Sequence, residues 1–294
     1  MYFNRHYLSD FMDATHLLIT RFNIRFSKVA SQYYPCDDKW HQHRFKIFER
    51  YSLPSVLFQT NQQFQWLICF NADLKETYRE FIQRTESVSP NISFIFVEPE
   101  KSHLEEINNY ISSNTETKHI ITTRVDNDDI IAAGFVESIQ RCYQNHLSDV
   151  ENENLILNAP NGFQFETGFP RRISRISDYS CSPFMSIVSK REDAVDGMHV
   201  HKYKHLDWKG RVNTVDITDE PLWIQVIHSR NRANRILSLE LTPDIKTDQF
   251  PVFKKIGAKA TPNYPLWPLQ IVITAAQRVY VRLNKLLQRF GKTG

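Results

Sequence analysis

A chain of 294 residues, with 41% hydrophobic, 13% aromatic and 23% charged residues, is long enough for a large core and too apolar for intrinsic disorder. The net charge of +3 is uneven: beyond Asp248 there are eight Lys and Arg and no acid, while the remaining 28 basic and 33 acidic residues give the body −5. That balance argues against a nucleic-acid-binding body, and 8 glycines against 20 phenylalanines argue against a Gly-rich phosphate loop. Four scattered cysteines, Cys36, Cys69, Cys142 and Cys181, lack the spacing of a zinc knuckle and suit a reduced, cytosolic setting. The first residues show no signal-peptide pattern, and no apolar run reaches the ~18–20 residues of a membrane span.

In chain order, HLLITRF from His16 predicts a short buried strand, and Trp40 to Tyr51 a helix with Phe45 and Phe48 on one face. Leu53 to Leu57 resumes a helical pattern. Phe64 to Leu74 predicts a second strand, followed by a helix of KETYREFIQR type. Asn91 to Val97 predicts a third strand, Glu105 to Ile111 a short helix, and His119 to Val125 a fourth strand. Strands alternating with helices indicate a parallel α/β sheet, in which ligands bind beyond the strand carboxyl ends. Thr20-Arg21, Asn71-Asp73 and Asp126-Asp129 all fall at such ends and should share one edge.

The second half is less regular. Leu155 to Glu166 and Ser182 to Ser189 read as strands separated by a basic loop, Arg171-Arg172 to Arg175. From Thr218 the sequence TDEPLWIQVIHSRNRANR predicts a helix, with Thr218 as N-cap, Asp219 and Glu220 in its favourable first turn and Pro221 tolerated there. There is no internal repeat and no Gly/Ser linker. The chain divides into a domain over 1–248 and a basic extension over 249–294.

The stretch TTRVDNDD, Thr122 to Asp129, carries three carboxylates within four residues directly after an apolar strand and before the apolar Ile130-Ile131-Ala132-Ala133, read as a helix start. Crowded carboxylates repel and lose solvation in a cleft. A hard divalent cation, Mn²⁺ or Mg²⁺, shared with substrate phosphates would relieve that. A solvated loop tip is the other reading, and the apolar segments on both sides count against it.

The blocks HLLITRFNIRF, W-x3-R-x2-IFE-x-YSLPSVLFQT, FQWLICFNAD, RVDNDD, LNAPNGFQ and PLWIQVIH together resemble the rhamnosyl transferase family of bacteria, and more broadly GT-A-fold nucleotide-sugar glycosyltransferases, over roughly residues 14 to 235. The resemblance implies a GT-A-like α/β fold with a mostly parallel central sheet. It also implies a metal-dependent transferase moving a sugar, rhamnose, galactose or similar, from a nucleotide-diphosphate donor to a glycan or lipid-linked acceptor in lipopolysaccharide or capsule synthesis. It implies donor contacts from Thr20, Arg21, Phe22, Asp73, Arg124 and Asp126, and metal contacts from Asp126 and Asp128, with His228 as a further ligand. Aligned on Leu222-Trp223, Asp219 takes the position of the base that deprotonates the acceptor hydroxyl, with Glu220 as the alternative; Thr218 stands where the family pattern has an acid. Asp219 and Glu220 could instead serve only a helix N-terminus.

Arg230 and Arg232 are candidates for diphosphate oxygens, and His199, His201 and His205 for an acceptor loop. Near the end, Leu269, Ile273, Ala276, Tyr280, Leu283, Leu287 and Phe290 recur at helical spacing opposite Arg278, Arg282, Lys285, Arg289 and Lys292. This predicts a C-terminal amphipathic helix whose basic face suits an anionic membrane surface at the cytoplasmic face of the inner membrane. Two rivals use the same features: a metal-dependent phosphoesterase or nuclease on the aspartates, and a nucleic-acid-binding protein on the tail. The former lacks further acids at strand ends; the latter lacks a recognition motif.

Overall fold

The computed structural model describes residues 13–24, 37–73, 76–98, 101–168, 172–231 and 245–255, with helical pieces at 268–269, 271–276 and 279–280. The amino half follows the predicted alternation. Strand β1 (Ala14–Arg21) leads to helix α1 (Asp38–Ile47), a π-turn over Phe48–Ser52 and helix α2 (Leu53–Leu57). Strand β2 (Gln65–Asn71), helix α3 (Glu76–Val88), strand β3 (Ile92–Val97), helix α4 (His103–Asn114) and strand β4 (His119–Arg124) follow. β1 pairs in parallel with both β2 and β4, and β2 with β3.

Period-two alternation assigns each strand to two cores at once. Leu17, Ile19, Leu67, Cys69 and Ile120 face a cluster closed by Ile107 and Ile111 of α4. Leu18, Trp66, Ile68, Phe70 and Ile121 face the larger cluster, filled by Phe45, Phe48, Tyr78 and Phe81 from the helices before and after β2. Both faces are therefore covered, which explains why these strands read as continuous apolar runs.

Strand β5 (Ile130–Ile131) and helix α5 (Phe135–Asn145) come next. Ile130 and Ile131 were expected to start a helix; they form a short strand, and the helix begins four residues later. Strands β6 (Leu155–Asn158), β7 (Gly162–Glu166), β8 (Ile173–Ile176), β9 (Ser186–Lys190), β10 (Asn213–Asp216) and β11 (Trp223–Ile227) complete the fold. The main sheet runs β10-β6-β9-β4-β1-β2-β3, antiparallel only at β9, and a second sheet runs β5-β11-β7-β8. The architecture is the expected α/β type with a mostly parallel central sheet flanked by helices.

The helix expected from Thr218 is overturned. Trp223–Ile227 is a strand, antiparallel to β5 and parallel to β7. Pro221, Asp219 and Glu220 imitate a helix start, but Ile224, Val226 and Ile227 are β-branched and buried, and packing decided the outcome. The Trp223 ring lies against Gly162, where a Cβ would come within 2.2 Å of ring carbon, so only glycine fits there. Its Nε1–H donates to Ala159 O at 2.8 Å, and the ring stacks on Phe184. The LNAPNGFQ and PLWIQVIH blocks thus meet as one packing unit.

The core also extends past residue 248: Phe250, Val252 and Phe253 are buried in the larger cluster, Phe253 edge-on to Phe165 at 5.1 Å. Of the expected C-terminal amphipathic helix, Leu283, Leu287, Phe290 and all five residues of the basic stripe lie outside the described residues.

Candidate functional site

The carboxyl ends of β1 and β4 lie side by side, and from them the chain departs in opposite directions along the sheet, to β2 from one and toward β6 from the other. That is a topological switch point, the place where open α/β sheets bind ligands. The loop Val125–Asp129 is latched across it. Val125 N–H donates to Ile19 O at 3.2 Å, and the Thr20 hydroxyl donates to Val125 O at 2.7 Å while accepting from Trp66 Nε1 at 2.9 Å. Asn127 Nδ2 donates to Phe22 O at 2.8 Å. Behind the loop, Gln59 Nε2 donates to Ala132 O at 2.7 Å, its Oε1 accepts from Val136 N–H at 3.0 Å, and the Ser55 hydroxyl accepts from Ile131 N–H at 3.3 Å. The SLPS-x3-Q block therefore clamps the backbone that carries the carboxylates.

The three aspartates occupy three different environments. Asp126 is 30% exposed at its side chain and takes a two-pronged contact from Arg124, Nε at 3.1 Å and Nη2 at 2.8 Å. Asp128 is 7% exposed; its Oδ2 meets the Arg44 guanidinium of α1, His228 Nε2 at 3.2 Å and Asn231 Nδ2 at 3.4 Å. Burial alone would raise its pKa, but Arg44 and His228 outweigh that and hold it below the usual carboxylate value. Asp129 is fully buried. Its Oδ1 accepts from Val226 N–H at 2.9 Å and its Oδ2 has no hydrogen-bond partner. Burial first, then the charges of Asp128 and Asp126, push its pKa well above the usual value and so favour its neutral form.

His228 follows β11 in a turn rather than lying on a helix. Arg230 N–H donates to its Nδ1 at 3.3 Å, which fixes the lone pair there and leaves Nε2–H to donate to Asp128. His43 Nε2 also meets Nδ1, at 3.2 Å. Burial lowers His43 to about 4, so at neutral pH it is an uncharged member of this network.

Sequence reasoning brought Asp126, Asp128 and His228 together as metal ligands. The structure does join His228 to Asp128, but Asp126 turns to Arg124, both nitrogens of His228 are engaged, and Arg44 stands on Asp128. Among the described residues no three His, Cys, Asp or Glu side chains form a metal-ligating group. The donor set as arranged does not fit a divalent ion.

On the other flank of the loop a cleft of about 530 Å³ opens, lined by Arg21, Arg124, His103, His201, Lys202 and Tyr203 among others. The N-terminus of α4, capped by Ser102, borders it through His103 and Leu104. Val200 N–H, bonded to Thr122 Oγ1 at 3.0 Å, ties the histidine segment to β4, and His201 Nε2–H donates to Ile19 O at 3.4 Å. Burial lowers His103 and His199 to about 4, and burial with Arg21 and Arg124 drives His201 well below its usual value. These imidazoles are neutral, so the positive charge of the cleft comes from Arg21, Arg124, Lys202 and Lys204.

Other expected site residues fall as follows. Arg21 and Arg124 line the cleft. The side chains of Thr20 and Phe22 are buried supports, Phe22 stacked between Phe45 and Phe70 at 4.7 and 4.5 Å. Asp73 is exposed beyond β2, close enough for its charge to act on His41. Asp219 and Glu220 precede β11, whereas the carboxylates lie at its far end. Asp219 is 78% exposed and 3.7 Å from Arg141 of α5. The structure does not bring these two acids to the cluster, because a strand of five residues separates what a helix turn would have joined. Arg230 Nη1 donates to Lys39 O at 2.8 Å, and Arg232 lies outside the described residues. His205 Nδ1–H donates to Cys181 O at 2.8 Å on the rim of the cleft.

The sequence reading missed Arg44, His43, His103 and Asn231. Arg44 was visible as the arginine of the W-x3-R block, and its guanidinium lies 5.3 Å from the Trp40 ring of the same block. His103 and Asn231 carry no spacing that would have marked them.

No curated relative matches the chain in sequence. Among solved structures it is similar to a fragment of S. aureus TarS, residues 1–349, at 11% identity and TM-score 0.40, over 72% of this chain and 60% of that one. The chain thus spans about three fifths of that fragment's length. It is also similar to GalNAc-T7 with UDP, GalNAc and Mn²⁺, at 8% identity and TM-score 0.40, over 83% of this chain and 48% of that one. HddC from Yersinia pseudotuberculosis follows at 10% identity and TM-score 0.33, over 73% and 90%. The family model described as "Putative rhamnosyl transferase" matches residues 17–239, most of the chain and every element of the site above, and the chain belongs to that family.

Proposed function

We propose that the protein is a nucleotide-sugar glycosyltransferase whose donor diphosphate binds in the cleft between β1 and β4. The observation that carries this reading is the pair Arg21 and Arg124 at the switch point of a mostly parallel sheet, within a cleft whose histidines are neutral. As the bond from the anomeric carbon to the diphosphate breaks, negative charge grows on the leaving oxygens. Fixed guanidinium groups stabilise it without reorganising. The acceptor hydroxyl attacks the anomeric carbon, and the Val125–Asp129 loop fixes Arg124 from behind through Asp126. Rhamnose is the donor sugar that the family's description favours, and a glycan under construction at the bacterial surface is the acceptor class.

The reading extends to the membrane surface. Leu269, Ile271, Val272, Val279 and Tyr280 are exposed on the described turns after residue 267, while Thr274 is buried and accepts from Arg172 Nη1 at 3.0 Å. The described turn at 271–276 is thereby attached through Thr274 with apolar side chains outward, and the basic residues of the tail suit anionic headgroups. No helix among the described residues is long and apolar enough to cross a membrane.

Calorimetry with UDP-, dTDP- and GDP-sugars, followed by assay of sugar release, tests the activity. Absence of binding by every nucleoside diphosphate would end the reading. Flotation of the full chain with anionic and with neutral liposomes, against a chain truncated at Pro262, tests the surface; equal flotation of the two chains removes it.

A further inference from the structure

Two cations of the chain already stand where a divalent ion would bind. Both oxygens of Asp126 are held by Arg124, and Asp128 Oδ2 is enclosed by Arg44, His228 and Asn231. Arg44 is not a surface side chain that happens to reach inward. It is 11% exposed, projects from α1 next to Trp40, and the Nη1 that meets Asp128 also donates to Asn127 Oδ1 at 3.2 Å. His43, its neighbour on the helix, contacts His228 from the same side. One helix thus supplies a cation and a supporting imidazole to the carboxylate that sequence reasoning gave to a metal.

Taking the ligand's identity from the glycosyltransferase reading, we propose that Arg44 occupies the cation position at Asp128, so that the protein binds its donor diphosphate without a divalent metal. Mg²⁺ or Mn²⁺ needs several open oxygen lone pairs in near-octahedral order. At Asp128 it would have to expel a largely buried guanidinium and leave that charge unpaired, or sit beside it and be repelled. The charge that a metal would neutralise is already balanced: Arg124 offsets Asp126 and Arg44 offsets Asp128. Arg21, Lys202 and Lys204 line the cleft that the incoming anion would enter. Arg44 is a positioning residue, acting on the donor through the loop that it pins.

The test uses the full chain and two readouts. The electron paramagnetic resonance signal of hydrated Mn²⁺ should keep its intensity when wild-type protein is added without nucleotide. It should be quenched stoichiometrically by Arg44→Ala, in which Asp128 and His228 lose their competing cation; Arg44→Lys should behave as wild type. Donor affinity in calorimetry should agree within about twofold between EDTA and Mn²⁺. Quenching by the wild type, donor binding that requires Mn²⁺, or an Arg44→Ala protein that is folded by circular dichroism yet leaves the signal intact, each overturns the assignment. If no donor binds in either condition while wild type spares the signal and Arg44→Ala quenches it, the glycosyltransferase reading fails and Arg44 keeps its place.

Discussion

The two flanks of the Val125–Asp129 loop use similar residues to opposite ends. On the α1 flank, Arg44, Asp128, His43 and His228 form a closed network in which each charge meets its opposite at short range. On the cleft flank, Arg21, Arg124, Lys202 and Lys204 line an open volume beside neutral histidines, with Asp126 held by Arg124. Balanced charge in a buried setting supports the loop; surplus charge beside open volume attracts a ligand. A cluster of aspartates is therefore no single object, and each member's role follows from which flank it faces.

The sharpest way to break this contrast is Asp128→Ala, which leaves Arg44 unpaired. It should destabilise the fold by roughly 3–5 kcal/mol in denaturant titration, the usual cost of stranding one member of a buried pair. A loss below about 1 kcal/mol would mean that Arg44 finds solvent and the network is not closed.

Acidification acts on the neutral histidines next. Burial lowers His16 to about 3 and His199 to about 4, and drives His201 well below its usual value, whereas the unfolded chain protonates near 6.5. Below about pH 6 the unfolded state binds three more protons at these sites, so stability falls as pH falls. Asp129 opposes this, because its raised pKa favours a proton in the folded state that the unfolded carboxylate has lost. The excess on the histidines outweighs that one proton, so stability should fall between about pH 6 and 4. Denaturant titrations at pH 7 and pH 5 should show the loss, and equal midpoints would contradict neutral histidines.

Arg21→Ala probes the open flank. It should weaken nucleotide-diphosphate binding by about 10- to 100-fold, the value of a charge-assisted contact, while changing the unfolding midpoint little. A matching loss of stability with unchanged affinity would place Arg21 among the structural pairs. The smallest effect is expected at Asp129→Asn. A neutral side chain already suits that site, so stability at pH 7 should change by less than about 1 kcal/mol; a loss as large as that of Asp128→Ala would show that Asp129 is ionised.

Much of this was legible in the sequence. The apolar runs of β1, β2, β3 and β4 are buried on both faces by the helices between them, so local pattern and tertiary environment agree. That agreement placed Arg21, Arg124 and Asp126–Asp129 on one edge. It failed at Trp223–Ile227, where Thr-Asp-Glu-Pro imitates a helix start while the β-branched residues after it answer to β5 and β7, distant in sequence. It failed again at Ile130–Ile131, too short for any period to register.

By itself the sequence determined the α/β class, the shared edge and the acids at its centre, since these follow from strand periodicity and from carboxylates placed where apolar runs end. Tertiary structure decided what those acids do. Arg44 lies 84 residues from Asp128 and His228 lies 100 beyond it, so no local spacing could reveal that the carboxylate is already paired. Local periodicity reports which face a residue takes; the partner across that face is supplied by the fold, and for a buried charge the partner sets its chemistry.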